Sequence, residues 1–252
     1  MRSDRDPSSA VPDGAWTQPA GDATHSARDA AVPAPPAAAA AVFGAAIDRA
    51  VSYVRLLATD GVVRGLIGPR EVPRLWERHV LNCALVAELV PAGSRLVDVG
   101  SGAGLPGVPI ALVRPDVQVA LLEPLARRVA FLAECRERLG LASVTVQRGR
   151  AEEPAVVAAL GGADVVAARA VAPLDRLAGW CLPLLRPGGL LLAVKGEAAA
   201  AELAAARPTL ARLGVADVEI VDIGASVVSP ATRVVVVKRG TVPVRARGGR
   251  TR

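Results

Sequence analysis

Between residues 95 and 237 the chain alternates short apolar runs with segments of helical length, and this rhythm constrains its fold more than any other feature. Candidate strands fall at 95–99, 118–122, 143–147, 163–168, 189–194, 216–222 and 232–237, with helices around 106–113, 125–139, 153–160, 173–184 and 197–213. Strands alternating with helices of this length imply a parallel sheet covered on both faces. The last two runs, DVEIVDIG and TRVVVVKRG, are joined by a loop with no helix, so an antiparallel pair is expected at the C-terminal edge. The expected fold is therefore α/β: a Rossmann-like, seven-stranded, mostly parallel sheet with an antiparallel C-terminal edge strand.

The first strand runs into LVDVGSGAGLPGVPIAL, with glycine at 100, 102 and 104 and prolines at 106 and 109. Glycine permits positive φ and lets a ligand lie against main-chain N–H groups, and proline is tolerated in a helix's first turn. A polar ligand is expected at this strand–turn–helix junction. Gly102, Gly104 and Gly107 also spell G-x-G-x-x-G, which alone suggests a dinucleotide. Asp98, inside the strand, is placed to accept from a ligand amine or to brace the loop. Glu123, about 20 residues on, is placed to take two ribose hydroxyls. Ala151 N–H and the Glu152 side chain in GRAEE are placed to meet an adenine edge, and Arg169 in ARAVAP stands at the sheet's carboxyl edge. Ligands of open α/β sheets bind outside the strand carboxyl ends, so these loops converge on one crevice.

Upstream of the sheet, Phe43, Ile47, Val51, Val54 and Leu57 have helical spacing, repeated by Leu75, Leu81, Leu85 and Leu89. The expected organisation is a disordered extension over 1–41, a helical cap over 42–91, the Rossmann-like domain over 92–240 and a basic disordered tail over 241–252. Residues 1–41 carry a net charge of −2 and residues 238–252 a net charge of +6, against +6 for the whole chain. That tail suits salt-sensitive attraction to a phosphate backbone, and equally a solvated end kept soluble by charge. The three cysteines, Cys83, Cys135 and Cys181, are widely spaced with only His25 and His79 for company, so neither a metal site nor a disulfide framework follows. The N-terminus lacks an apolar leader core, and no run of about 18 uncharged apolar residues is found. A cytoplasmic location without membrane association is the expectation.

Asp98, the D-x-G-x-G-x-G loop, Glu123, the P-G-G before the fifth strand and the antiparallel terminal pair together resemble the class I S-adenosylmethionine-dependent methyltransferases. More specifically, ERHVLNCALV ahead of LVDVGSGAGLPGVPIAL, then LLEPLARRVAFL, GRAEE, AARAVAPL and LLAVKG, resemble the RsmG (GidB) family of bacterial 16S ribosomal RNA guanine-N7 methyltransferases. The resemblance spans about residues 45–238. It implies S-adenosylmethionine as cofactor, a monomer, and 16S rRNA or the small ribosomal subunit particle as partner. By position, the family's donor contacts fall on Gly100, Leu105, the Ala151–Glu152 pair and Arg169. The chain departs from the family at Asn82, where many members have Asp, and in VVRGLIGPREVPR, which lacks a common Asn-Leu-Thr stretch.

The missing chemistry agrees with this resemblance. Attack from carbon-5 of a pyrimidine needs a cysteine nucleophile, and methylation of an exocyclic amine commonly uses Asn/Asp-Pro-Pro-aromatic after the fourth strand; neither pattern stands here. Guanine N7 has an in-plane lone pair and no proton to lose, so no catalytic base is expected, only alignment within roughly 3–3.5 Å of the methyl. N7 lies in the deep, narrow major groove of A-form RNA, so the target is an unpaired or locally opened guanine. Arg169 beneath that ring would oppose the charge left by methylation, which assigns it to the donor pocket or a phosphate. Arg78, His79 and Lys195 are candidate RNA contacts, with a packed histidine and a plain strand-end lysine as the alternatives. Trp76, Trp180 and Cys181 are expected in the core. A nicotinamide-dependent reductase would want a Tyr-Lys or His dyad, but the sole tyrosine, Tyr53, lies in the cap. A ribosome-binding module without catalysis would not require the glycine loop and Glu123.

Overall fold

The computed structural model describes residues 32–241. The expected disorder of residues 1–31 and 242–252 lies outside the described residues. A seven-stranded sheet has the order β3-β2-β1-β4-β5-β7-β6, built from β1 (Arg95–Val99), β2 (Gln118–Glu123), β3 (Val144–Arg148), β4 (Ala163–Arg169), β5 (Leu185–Lys195), β6 (Val215–Ile223) and β7 (Thr232–Arg239). The first five strands are mutually parallel. The last strand, β7, is inserted between β5 and β6 and runs antiparallel to both, which leaves β6 on the edge. β5 begins at Leu185, earlier than the expected 189. The residues RPGG form an irregular start, with the register jumping from Ala163↔Leu185 to Val165↔Leu190 and Gly188 at φ +76°.

Successive residues of each inner strand face opposite layers, as the two-residue repeat requires. Leu96, Leu121, Val165, Leu192 and Val234 join one apolar cluster, and Val97, Leu122, Val166, Leu191 and Val235 join the other. The first cluster is closed by an N-terminal helical layer, by a short helix after β1 and by the helix after β2. The N-terminal layer contains α1 (Ala37–Phe43), α2 (Ile47–Leu56) and α3 (Asn82–Leu85). The two helices that follow are α4 (Gly107–Val113) and α5 (Ala126–Arg138). The opposite face is covered by α6 (Pro154–Leu160), α7 (Leu174–Cys181) and α8 (Ala199–Arg212).

Two N-terminal details differ from expectation. Residues 37–41, assigned to the disordered extension, lie in α1, with Ala39 and Phe43 buried. Phe43 packs edge-on against Trp76 at 6.3 Å, and the Trp76 indole N–H donates to Pro33 O at 3.0 Å, which ties down the Pro/Ala stretch as well. By length and composition the helical run Ala37–Gly61 is apolar enough to cross a bilayer. Its Phe43, Ala50, Tyr53, Val54 and Leu57 are buried within the protein instead. The layer also carries π-helical turns at Leu57–Gly61 and Leu75–Leu81. Such widened turns are rare and favour functional sites.

Candidate active site

The glycine turn after β1 is shaped by three different demands. Gly100 (φ +70°) has no room for a side chain, because a Cβ would stand 2.8 Å from Val171 Cγ2. Gly104 (φ +97°) is equally crowded, at 2.7 Å from Val108 Cγ2 and 3.0 Å from the Tyr53 hydroxyl. Gly102 (φ +58°) alone among the three faces open space, its nearest neighbour being Gly100 O at 3.7 Å. Two of the three glycines thus serve internal packing, and one faces open space. Several loop amides are also satisfied internally: Gly100 and Ser101 donate to Leu122 O, and Gly104 and Leu105 donate to Ser101 O.

The two acids have separate duties. Asp98 is fully buried, and its Oδ2 accepts from Gly107 N at 3.1 Å, pinning the start of α4, while Oδ1 has no partner. Of the two readings for Asp98, the structure displays the brace. Glu123, 1% exposed, spans the mouth of the turn: Oε2 accepts from Gly102 N at 3.0 Å and Oε1 from Leu125 N at 3.1 Å. The carboxylate therefore sits against the one glycine that faces open space. Arg128 lies 3.7 Å from Oε2. At the end of β3, Ala151 is buried and Glu152 exposed.

Burial pushes the Asp98 carboxyl up to about 7. A carboxyl with a raised native pKa holds its proton more tightly in the folded state. Its contribution to stability is complete below about pH 4 and is lost as pH rises through about 7. Asp98→Asn keeps an acceptor for Gly107 N–H but cannot titrate. We expect the native urea midpoint to fall between about pH 5.5 and about pH 8, and the variant to show a flatter slope. Equal slopes would mean that Asp98 ionises at an ordinary carboxylate pH.

Tyr53, on α2, is a site residue that sequence reasoning missed. Its hydroxyl donates to Ala103 O at 2.8 Å inside the glycine loop, and the ring is fully buried. Tyr53→Phe strands that carbonyl, a loss of about 1–3 kcal/mol. Calorimetric titration with S-adenosylhomocysteine is expected to show affinity weakened about tenfold. Unchanged affinity would mean that glycine geometry alone sets the loop. The only available signal was the placement of Tyr53 on the apolar helix face beside Val54 and Leu57.

Next to this turn, at the carboxyl ends of β4 and β5 and the start of β7, lies a crevice of about 1210 Å³. Arg169 and Lys195 enter it from those strand ends, and Arg74 and Arg78 line its helical wall. The Arg169 guanidinium is bound to that wall: Nη1 donates to Cys83 Sγ at 3.1 Å, and Nη2 to Arg78 O at 3.1 Å and His79 Nδ1 at 2.8 Å. Lys195 Nζ contacts Ala172 O at 2.8 Å and Glu202 Oε2 at 2.7 Å, and Glu202 also accepts from Leu174 N. Lys195 therefore braces the loop after β4, where Ala170 adopts φ +52°. Arg233 is paired with both oxygens of Asp222 at 2.7 Å. Asn82 Oδ1 accepts from buried Thr232 at 2.7 Å, linking the helical layer to β7. Trp76 and Cys181 are buried as expected, but Trp180 is half-buried, its ring covered by Arg176 at 5.1 Å. Among the described residues, no group of three His, Cys, Asp or Glu is placed to hold a metal ion.

A sheet of this order, with a glycine turn after β1, a buried acid closing β2 and a crevice at the carboxyl edge, defines the Rossmann-like class I methyltransferase fold. Solved structures share it. A SAM-dependent O-methyltransferase from Thermotoga maritima aligns at 16% identity and TM-score 0.50, covering 68% of this chain and 70% of that one. The M. jannaschii TYW2 complex with AdoMet aligns at 18% identity and TM-score 0.50, covering 65% and 76%. Sequence narrows the class to a family: residues 46–229 match GidB, rRNA small subunit methyltransferase G. Proteins named ribosomal RNA small subunit methyltransferase G are similar over most of their length. Those from Thermobifida fusca (58% identity, 80% of this chain and 84% of the relative) and Streptomyces coelicolor (56%, 88% and 97%) are two examples. A third, from Mycolicibacterium gilvum, is 54% identical over 88% of this chain and 98% of its own. The chain belongs to this family of methyltransferases.

Proposed function

We propose that the protein transfers a methyl group from S-adenosylmethionine to N7 of one unpaired guanine in 16S ribosomal RNA, as naked RNA or in the small subunit, and that it acts in the cytoplasm. The observation that carries the donor site is the juxtaposition of Gly102, open on one side, with the buried Glu123 carboxylate. A side chain at Gly102 would fill the cradle, and Glu123 retains lone pairs for ribose hydroxyls. Gly100, Leu105, Ala151, Glu152 and Asp98 complete the donor surround, with Asp98 acting through the backbone it pins. When bound, S-adenosylmethionine supplies an electrophilic methyl on a sulfonium sulfur.

The residues of the chain bind, orient and exclude water; none needs to move a proton. The thiol nearest the crevice, Cys83, is buried and held to Arg169, and burial pushes its pKa up, so it offers no thiolate for attack on a pyrimidine. A lone-pair nucleophile such as N7 suits a site of this kind. The crevice exceeds the ~300–1,000 Å³ of ordinary small-molecule sites, which fits a flipped nucleotide with part of its backbone. Lys195 and Arg233 are neutralised by Glu202 and Asp222. Positive charge for the RNA backbone is supplied best by the exposed rim arginines Arg74 and Arg78, two guanidinium groups that share the single acid Glu71 at 4.0 and 3.5 Å. Mass mapping of modified guanines in ribosomal RNA from cells with and without this gene tests the assignment. Loss of one 7-methylguanine from the small subunit is expected, and an unchanged map refutes it.

A further inference from the structure

We infer that Glu71 and His79 are positioning residues: a carboxylate–imidazole pair that holds the Arg169 guanidinium against the helical wall and away from the methylated base. The inference rests on the N7 reading above.

The chemistry of the ring fixes the direction of both bonds. His79 Nδ1 lies 2.8 Å from Arg169 Nη2, and His79 Nε2 lies 2.8 Å from Glu71 Oε2. A guanidinium has only donors, so Nδ1 must accept. Nε2 then carries the proton and donates to Glu71, whose carboxyl this bond holds below its usual range. His79 is thereby a neutral Nε2–H tautomer with both nitrogens spent, so neither is left for RNA. Three of the groups binding Arg169 come from one stretch: Arg78 O and His79 Nδ1 on the π-helical turn, and Cys83 Sγ just beyond it.

The placement matters because methylation at N7 leaves a positive charge on the purine. A guanidinium free to swing from the end of β4 under that ring would raise the barrier, whereas one tied to the wall leaves the loop at Ala170 fixed and the base unopposed. The loop's other side is tied by Lys195 and Glu202. Protonation of His79 would remove the Nδ1 acceptor and set an imidazolium against the guanidinium. The charged and titratable groups around the ring are Glu71, Arg78, Arg169 and the Cys83 thiol, with Arg74 behind Glu71. Burial, then Arg169, lower the imidazole pKa, and Glu71 pulls it up. The latch is thus intact at neutral pH and released in acid.

The test compares the full chain with Glu71→Gln, Arg169→Lys and the double variant, using small-subunit RNA. Single-turnover methyl transfer, S-adenosylhomocysteine affinity and thermal midpoint are read for each. Glu71→Gln is expected to slow transfer about tenfold and to move the acid limb of the pH profile to lower pH, with donor affinity within about twofold. In the Arg169→Lys background the same change is expected to cost less than about twofold, because the two act as one unit. Equal losses in both backgrounds, an unmoved acid limb, or slowing that follows the thermal midpoint would overturn the proposal. Ring ¹⁵N shifts of His79 in the native protein give a readout independent of turnover: a proton on Nδ1 overturns the pair. The expected tautomer in a chain that methylates no guanine N7 would instead overturn the functional reading, and the proposed role with it.

Discussion

Gly102→Val is expected to abolish donor binding, a loss of more than about 100-fold in S-adenosylhomocysteine affinity, while the sheet remains folded. The backbone at this position has φ +58°, a region that β-branched residues avoid, and strain of about 1–3 kcal/mol follows. That is affordable for a domain of this size, since a Cβ there meets nothing closer than Gly100 O at 3.7 Å. The branched side chain would project into the open side of the turn, the place proposed for the donor, and the strained backbone would pull Gly102 N–H from Glu123. Gly104→Val gives the contrast: its Cβ collides with Val108 and Tyr53 inside the protein, so fold and binding are expected to fall together. Unchanged affinity in folded Gly102→Val, measured by calorimetry beside a melting curve, would place the donor elsewhere.

This contrast between glycines also marks where sequence reasoning stops. The G-x-G-x-G spacing indicates a turn and a ligand but does not distinguish a glycine crowded by Val171 or Tyr53 from one that faces open space, because Val171 and Tyr53 lie far away in sequence. The strands were legible because their inner runs are apolar on both faces: the expected 95–99 coincides with β1, and the others agree within a few residues except at the start of β5. There Pro187 and two glycines read as a loop, yet the sheet accommodates them as an irregular strand entry. That β7 would insert between β5 and β6 was not legible either, since an antiparallel hairpin can add to a sheet edge by either strand.

The polar network was the least legible part. Arg169, His79 and Lys195 were each visible at strand or helix ends, but their partners Glu71 and Glu202 were not, because no periodic spacing links residue 71 to 79 across a change of helix type. Single-residue readings made Arg78, His79 and Lys195 candidate RNA contacts and gave Arg169 to the donor pocket or a phosphate. The structure shows His79 and Lys195 largely covered and engaged with carboxylates, while Arg74 and Arg78, which share Glu71, are the exposed arginines of the rim.

Replacing the target guanine with 7-deazaguanine is expected to leave RNA binding intact and to eliminate turnover. The substitution removes the N7 lone pair but preserves ring size, the Watson–Crick edge and, closely, pairing. Every contact the crevice makes with the rest of the base and backbone should therefore survive. On the proposed N7 reading no base is needed, and burial raises the pKa of the Cys83 thiol, so no alternative route to a methylated product is expected once that lone pair is gone. Inosine tests the converse. It keeps N7 and lacks the exocyclic amine, so turnover persists, reduced by about 1–3 kcal/mol if one buried partner is left unpaired. An enzyme acting on the exocyclic amine would give the opposite pair of results, accepting the deaza base and rejecting inosine, and an N1-directed one would accept the deaza base. Paired measurements of binding and initial rate on these RNAs thus separate the three nitrogens. Appreciable methyl transfer to 7-deazaguanine would refute the N7 assignment, whatever the behaviour of Gly102 and Glu123 toward the donor.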